Sequence, residues 1–317
     1  MAQRGGSRPI VIFILGWGRS GSTILDSLLG AAPGVASLGE AMYLARRGWL
    51  EQRLCGCGMC VPECPIWSAV AGDLQPQLEA LGGAAGVEQL RQQICGRKSV
   101  LWQSLARARP YARDGASSNE RERRYARFHE AFYRQASERL GAGVLIDSSK
   151  HPAHAAAIAG AGDLPCRFVH LVREPRAVAH SLSKRKDMRD GSGREQMRRT
   201  FVRAALSWVL FNRICRRMVA ADPHGIRLRY EDLCARPQAS IQQLLESVAP
   251  GLAPVPITAE GRATLPVNHS ISGNPSRFRT GAVEIRQDNA WAQEQPPWQQ
   301  RLIRALTRAE ARHYGYV

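Results

Sequence analysis

Ile10-Val11-Ile12-Phe13-Ile14-Leu15-Gly16-Trp17-Gly18-Arg19-Ser20-Gly21-Ser22-Thr23 is the stretch that decides the fold. Its first six residues are β-branched, leucine or phenylalanine without a polar interruption, the pattern of a strand buried on both faces of a parallel sheet. Gly16 to Gly21 break the run. Helical spacing then follows, with Ile24, Leu25, Leu28 and Leu29 on one side and Gly30 at the stop. Strand, glycine-rich turn and helix are the opening of a βαβ unit.

Outward from this unit the same rhythm repeats. Gly143-Val144-Leu145-Ile146 runs into Asp147-Ser148-Ser149-Lys150, Arg167 to Val172 into Arg173-Glu174-Pro175, and Ile226 to Tyr230 into Glu231-Asp232-Leu233. Each is followed by a predicted helix, over 153–161, 176–184 and 237–248, as in a doubly wound sheet. Ala36-Ser37-Leu38 adds a short strand ending at Gly39-Glu40. From about 60 to 140 helical periodicity dominates, with Trp67, Leu74, Leu78, Leu90, Ile94, Leu101 and Leu105 as expected core positions. This reads as a helical insertion on the sheet, so 1–317 is taken as one domain, and Trp298 to His313 as a terminal helix. The expected fold class is α/β, a P-loop-like three-layer αβα arrangement with a central parallel sheet.

With 317 residues and 44% hydrophobic content the chain has ample material for a core, which excludes general disorder. Its 44 basic residues against 27 acidic leave a formal charge of +17. Only Lys98, Lys150, Lys184 and Lys186 are lysines, so a codon bias toward arginine explains the count as well as a polyanionic partner does. No aromatic-studded sheet, zinc finger or other recognised module supports a nucleic-acid partner, and none is expected. The longest apolar run near the N-terminus, Ile10 to Leu15, is far below the ~20 residues of a bilayer span. No transmembrane or secretory segment is read. The expected location is cytoplasmic, with the eight cysteines mostly reduced thiols.

Two motifs carry chemistry. Backbone N–H groups of the Gly16–Thr23 turn, backed by a helix N-terminus, form an anion cradle. The turn nearly fits the G-x-x-x-x-G-K-[ST] nucleotide pattern, but Ser22 stands where the lysine that serves the β- and γ-phosphates belongs. Its loss points to a donor with a shorter anionic chain. In the second motif, Leu171 to Ser181, Arg173 lies just past a strand's carboxyl end, where ligands bind in open α/β sheets. Ser181 follows about two helical turns after Pro175, within reach of the same phosphate, which Arg173 would hold through its planar fork.

Together these motifs resemble the sulfotransferase superfamily that uses 3′-phosphoadenosine 5′-phosphosulfate (PAPS), closest to its carbohydrate and tyrosyl-protein branches and their bacterial relatives. Gly18-Arg19-Ser20-Gly21-Ser22-Thr23 is similar to the family's 5′-phosphosulfate loop, and Arg173 with Ser181 to its 3′-phosphate pair. The likeness extends to Tyr230-Glu231-Asp232-Leu233, to His269 through Pro275, and to Asp288, Trp291 and Tyr314-Gly315-Tyr316. It implies PAPS as donor, 3′,5′-adenosine bisphosphate as product, no metal requirement and a hydroxyl acceptor: a carbohydrate, lipid-linked saccharide, tyrosine or small metabolite. It further implies Glu40 as the base, with His151 ranked second, and Arg19 and Lys150 as stabilisers of charge on the leaving group. Arg185 matches another basic contact of the tyrosyl branch. Tyr230 is expected against the 3′-phosphate or adenine, and Ser272, Arg277 and Arg279 in a loop closing over the nucleotide.

Two readings compete with this one. Asp147 after Val144-Leu145-Ile146 could hold a metal as in a P-loop kinase, and charge alone fits a polyanion-binding protein without turnover. The basic segment Lys184 to Arg203 reads as a solvated loop or as a lid that meets an anionic acceptor. Cys55-Gly56-Cys57-Gly58-Met59-Cys60-Val61-Pro62-Glu63-Cys64 is dense enough for Zn²⁺, but its spacing is not a standard two-knuckle arrangement. Disulfides, a structural metal and packed thiols all fit. A structural role near the acceptor entrance is expected and no metal ligand is assigned.

Overall fold

In the computed structural model, which describes residues 8–96, 119–184, 189–193 and 199–317, the opening run forms strand β1 (Ile10–Leu15). Side chains of a strand alternate between faces, and here both faces are covered. Val11, Phe13 and Leu15 enter one apolar core, Ile12 and Ile14 the other. That two-sided burial is why the run carries no polar residue.

Helix α1 (Ser22–Gly30) and strand β2 (Val35–Gly39) follow. The insertion then supplies α2 (Pro65–Asp73), α3 (Gln75–Leu81), α4 (Gly83–Cys95) and α5 (Glu120–Leu140). Trp67, Leu74, Leu90 and Ile94 from this insertion join the core of Phe13, as expected, whereas Leu78 is only partly buried. Leu101 and Leu105 lie outside the described residues. The other face is covered by Leu25, Leu28 and Leu29 of α1 and by Ile241, Leu244 and Leu245.

Strands β3 (Val144–Lys150), β4 (Cys166–Val172) and β5 (Ile226–Arg229) complete a five-stranded sheet of order β2-β3-β1-β4-β5, parallel throughout. The helices between and after them are α6 (Pro152–Ala161), α7 (Pro175–Ser183), α8 (Phe201–Ala220), α9 (Tyr230–Ala235) and α10 (Pro237–Val248). The connections change direction around β1, whose neighbours are β3 and β4, and a crevice at such a switch point is where open α/β sheets bind ligands.

Strand β3 runs on through Asp147-Ser148-Ser149-Lys150, with a register shift between Phe13 and Leu15 of β1. Its polar side chains are tolerated inside because each is bonded: Ser149 Oγ accepts from Met42 N, and Ser148 donates to Asp26. Residues 201–220, for which no element is read, form a 20-residue helix capped by Thr200 and anchored by buried Trp208. The strands β6 (Arg262–Leu265) and β7 (Gly281–Glu284) pair as a separate antiparallel ribbon. A C-terminal helix over Pro297–Ala311 packs back on the body as predicted, with Ile303 and Tyr314 in one core with Trp208. Among the described residues no helix is long and apolar enough to cross a membrane.

Candidate active site

The turn after β1 is built by backbone conformations that ordinary side chains avoid. Gly21 has φ +91, and a Cβ there would lie 2.4 Å from the Tyr230 ring, so only glycine lets α1 start against that aromatic face. Arg19 itself adopts φ +72, a left-handed conformation that costs energy in a residue with a side chain. Ser20 Oγ donates to the Trp17 carbonyl across the turn at 2.8 Å. The strained backbone aims the Arg19 side chain along the carboxyl edge of the sheet, where its Nε donates to Ser181 Oγ at 2.8 Å.

Arg173 leaves β4 beside it. Its guanidinium donates to the carbonyls of Arg19 (3.2 Å) and Asp288 (2.7 Å) and lies 4.4 Å over the Tyr230 ring. The residue is buried, with its own carbonyl held by Trp208 Nε1. The carboxylate facing this pair is Asp288, whose oxygen stands 3.4 Å from Arg173 while its side chain is 59% exposed. Burial and the neighbouring Arg173 both hold the Arg19 guanidinium below its ordinary pKa, against a smaller opposing effect of Asp288. Tyr230 OH donates to the Arg286 carbonyl, fixing the segment that carries Asp288.

The second group of charges lies at the ends of β2 and β3. Gly39, at φ +68, allows a residue-long approach of the 270–272 segment: a Cβ there would meet the Ser272 carbonyl at 2.4 Å. Glu40 N then donates to Ser272 O at 2.8 Å, and the Glu40 carboxylate sits between two cations. Lys150 Nζ donates to one oxygen at 2.6 Å and Arg47 to the other at 2.7 Å. Burial would raise the Glu40 pKa, but Lys150 and Arg47 overcome it and hold the carboxyl down to about 2. Lys150 adopts φ +66 and also donates to the Ser148 carbonyl. Arg47 is the residue the sequence reading misses; it comes from the π-helical turn Leu44–Leu50, stacks 3.8 Å over Tyr43 and also donates to Ser272 Oγ.

Gly18, Arg19, Ser20, Gly21, Ser22, Thr23, Arg173, Ser181 and Tyr230 thus gather at β1 and β4, and Glu40 with Lys150 at β2 and β3. Ser272 belongs to the Glu40 group. Arg277 is buried and donates to Ser270 O and Leu54 O at 2.6 Å each, whereas the segment that lies over Arg173 is Arg286–Asp288. Arg279 is exposed near β7. Arg185 lies outside the described residues. His151 adjoins Lys150, but burial, then the charge of His154, pushes its imidazole down to about 3. Asp147 accepts from Ser149 N, Tyr133 OH and His154 in the fully buried core, which removes it from any metal in the crevice and with it the feature that favoured a kinase.

A parallel αβα sheet with a glycine-rich anion turn after its central strand and arginines at its carboxyl edge defines a P-loop-like transferase scaffold. Residues 9–249 match the Sulfotransferase family, and the chain belongs to that family. Among solved structures, the sulfotransferase domain of the Synechococcus PCC 7002 olefin synthase is 18% identical, with 98% of each chain covered and a TM-score of 0.46. The sulfotransferase domain from the curacin biosynthetic pathway is also 18% identical, covering 94% of this chain and 98% of its own, with a TM-score of 0.47. Sulfotransferase STF9 from Mycobacterium avium is 15% identical over 80% of this chain and 65% of its own, with a TM-score of 0.41. No curated protein gives a match.

Proposed function

We propose that this sulfotransferase moves the sulfuryl group of PAPS to a hydroxyl of a carbohydrate, lipid-linked saccharide, tyrosine or small metabolite. The observation that carries the donor assignment is the Arg19–Arg173 pair. Two adjacent guanidiniums, faced among the described residues by the single, solvent-exposed carboxylate of Asp288, are costly unless an anion completes the site. Ser22 in place of the P-loop lysine fits a donor with a single 5′-phosphate.

On this reading the donor supplies sulfur as the electrophile. The acceptor oxygen forms a bond to sulfur while the bond from sulfur to the 5′-phosphate oxygen breaks. The acceptor proton passes to Glu40, and Arg19 and Lys150 meet the charge that grows on the leaving oxygen. Glu40 is a weak base while Lys150 holds it. An anion that draws Lys150 toward itself therefore strengthens the base at the moment the donor is in place.

Titration with 3′,5′-adenosine bisphosphate tests the donor assignment. Saturable binding is expected. It should weaken about 10- to 100-fold in Arg173→Ala, since hydrogen bonds to charged groups contribute about 1.5–3 kcal/mol. Equal affinity for ATP, or an unaffected Arg173→Ala, would overturn it.

A further inference from the structure

We propose that Cys55, Cys57, Cys64 and His269 bind one Zn²⁺ as a closed structural site. Their ligand atoms, Sγ of each cysteine and a ring nitrogen of His269, all lie within 4.8 Å of one another. Cys57 Sγ and Cys64 Sγ are 3.8 Å apart, and His269 Nδ1 is 3.2 Å from Cys64 Sγ and 3.9 Å from Cys55 Sγ. Tetrahedral zinc with Zn–S of about 2.3 Å and Zn–N of about 2.0 Å places its ligand atoms roughly 3.5–3.8 Å from each other. A disulfide needs sulfurs about 2.05 Å apart. The separations therefore fit four ligands around an ion and not a bonded pair.

The backbone is shaped for this convergence. Gly58, at φ +91, closes a turn in which Gly58 N donates to Cys55 O and Cys55 N to Met59 O. Gly56 presses so closely on the His269 segment that a Cβ would meet Asn268 Oδ1 at 2.1 Å. Trp67 Nε1 holds the His269 carbonyl at 2.8 Å. Cys55 and Cys64 are fully buried, and three sulfurs with one nitrogen select zinc over hard cations such as Mg²⁺. Cys60 lies in the same loop but outside the group.

Charge supplies an independent argument. Zn²⁺ with three thiolates and a neutral imidazole carries a net charge of −1. Arg277 is buried beside it, bonded to Leu54 O next in chain to Cys55 and to Ser270 O next to His269, and makes no ion pair with a carboxylate among the described residues. Asp190 nearby is taken by Arg53. A buried guanidinium bonded only to neutral groups, the two carbonyls and the Ser270 hydroxyl, is balanced by an anionic metal centre. From His269 the chain runs directly to Ile271, whose N–H donates to Leu38 O, and to Ser272, which holds Glu40 and Arg47. The ion would thus fix the edge on which Glu40 rests. Zinc binding itself does not depend on the donor assignment above.

The full chain, purified under reductant, should contain one zinc per molecule by elemental analysis. Exchange with Co²⁺ should give tetrahedral d–d bands and a thiolate-to-cobalt charge-transfer band. Cys64→Ser and His269→Ala should each weaken Co²⁺ binding by more than about 100-fold, since loss of even outer-shell partners costs about 10–100-fold. Cys60→Ser should bind as the unaltered chain does. A reduced chain that gives no charge-transfer band, or a Cys57–Cys64 disulfide that persists under reductant, overturns the proposal. If the variants do not fold, the cobalt titration of the unaltered chain still decides.

Discussion

The two charged clusters at the carboxyl edge of the sheet are built on opposite electrostatic plans. At β1 and β4, Arg19 and Arg173 lie together with hydroxyls and carbonyls, and their nearest carboxylate is largely in solvent. At β2 and β3, the carboxylate is largely buried instead: Glu40 gives one oxygen to Lys150 and the other to Arg47, so both cations of that group are directly paired. The first cluster has unmet attraction for an anion; the second is stable and chemically quiet. On the proposed assignment, charge arriving at the arginine side would loosen Lys150 from Glu40, whereas an acceptor arriving first would meet a carboxyl held down to about 2.

The sharpest way to break this contrast is to remove the charge of the quiet side. Glu40→Gln should lower sulfate transfer from labelled PAPS to acceptors in a lysate by about 10²- to 10⁴-fold, the usual contribution of a positioned base. Affinity for 3′,5′-adenosine bisphosphate should be kept or rise, because Glu40 bonds to neither arginine of the other cluster and its loss leaves Lys150 free for the 5′-phosphate. Full turnover in the variant would move the base elsewhere, with His151 next to Lys150 the first residue to examine.

A smaller effect should follow from Arg47→Ala. A carboxyl whose folded pKa lies below its ordinary value of 4.5 stabilises the fold above about that pH, and the contribution disappears as pH falls toward about 2. Removing Arg47 raises the Glu40 pKa. The variant should therefore lose roughly 1–3 kcal/mol above pH 4.5, the range for a buried polar group that loses a partner. The loss should shrink on acidification, and the acid limb of kcat/KM should shift upward. Melting temperatures that differ by the same amount at pH 3 and pH 7 would show that Arg47 acts only by packing on Tyr43.

Arg47 also marks what the amino-acid pattern reveals and what it hides. The strands, the glycine-rich turn and the positions of Arg173, Glu40 and Lys150 are legible because each is tied to a strand end, where period and glycine punctuation are local signals, and Ser181 follows from the helical period after Pro175. Arg47 sits in a π-helical turn, whose spacing is not the helical period, and meets Ser272 across 225 positions. His269 reaches the cysteines across 205 positions from Cys64, so the run at 55–64 alone shows only three of the four converging ligands. The helix at Phe201–Ala220 is obscured by its arginines, among them Arg213, Arg216 and Arg217, which dilute the apolar stripe of Ala204, Trp208 and Cys215. The burial of Arg277 is hidden because an arginine bonded inside the fold looks, in one dimension, like any other cation of a basic chain.

The mildest test bears on the arginine cluster and on Asp288. Its carboxylate oxygen is 3.4 Å from Arg173, where an incoming phosphate would meet a like charge, while its backbone carbonyl makes the shorter bond at 2.7 Å. Asp288→Asn keeps that carbonyl and removes the charge. Exposed pairs of this kind contribute about 0.2–1 kcal/mol, so affinity for 3′,5′-adenosine bisphosphate should rise by up to about fivefold. The gain should fade as salt is added, because the side chain is open to solvent. If affinity falls instead, Asp288 orients Arg173 more than it competes for it, and the arginine pair is less starved of negative charge than its surroundings indicate.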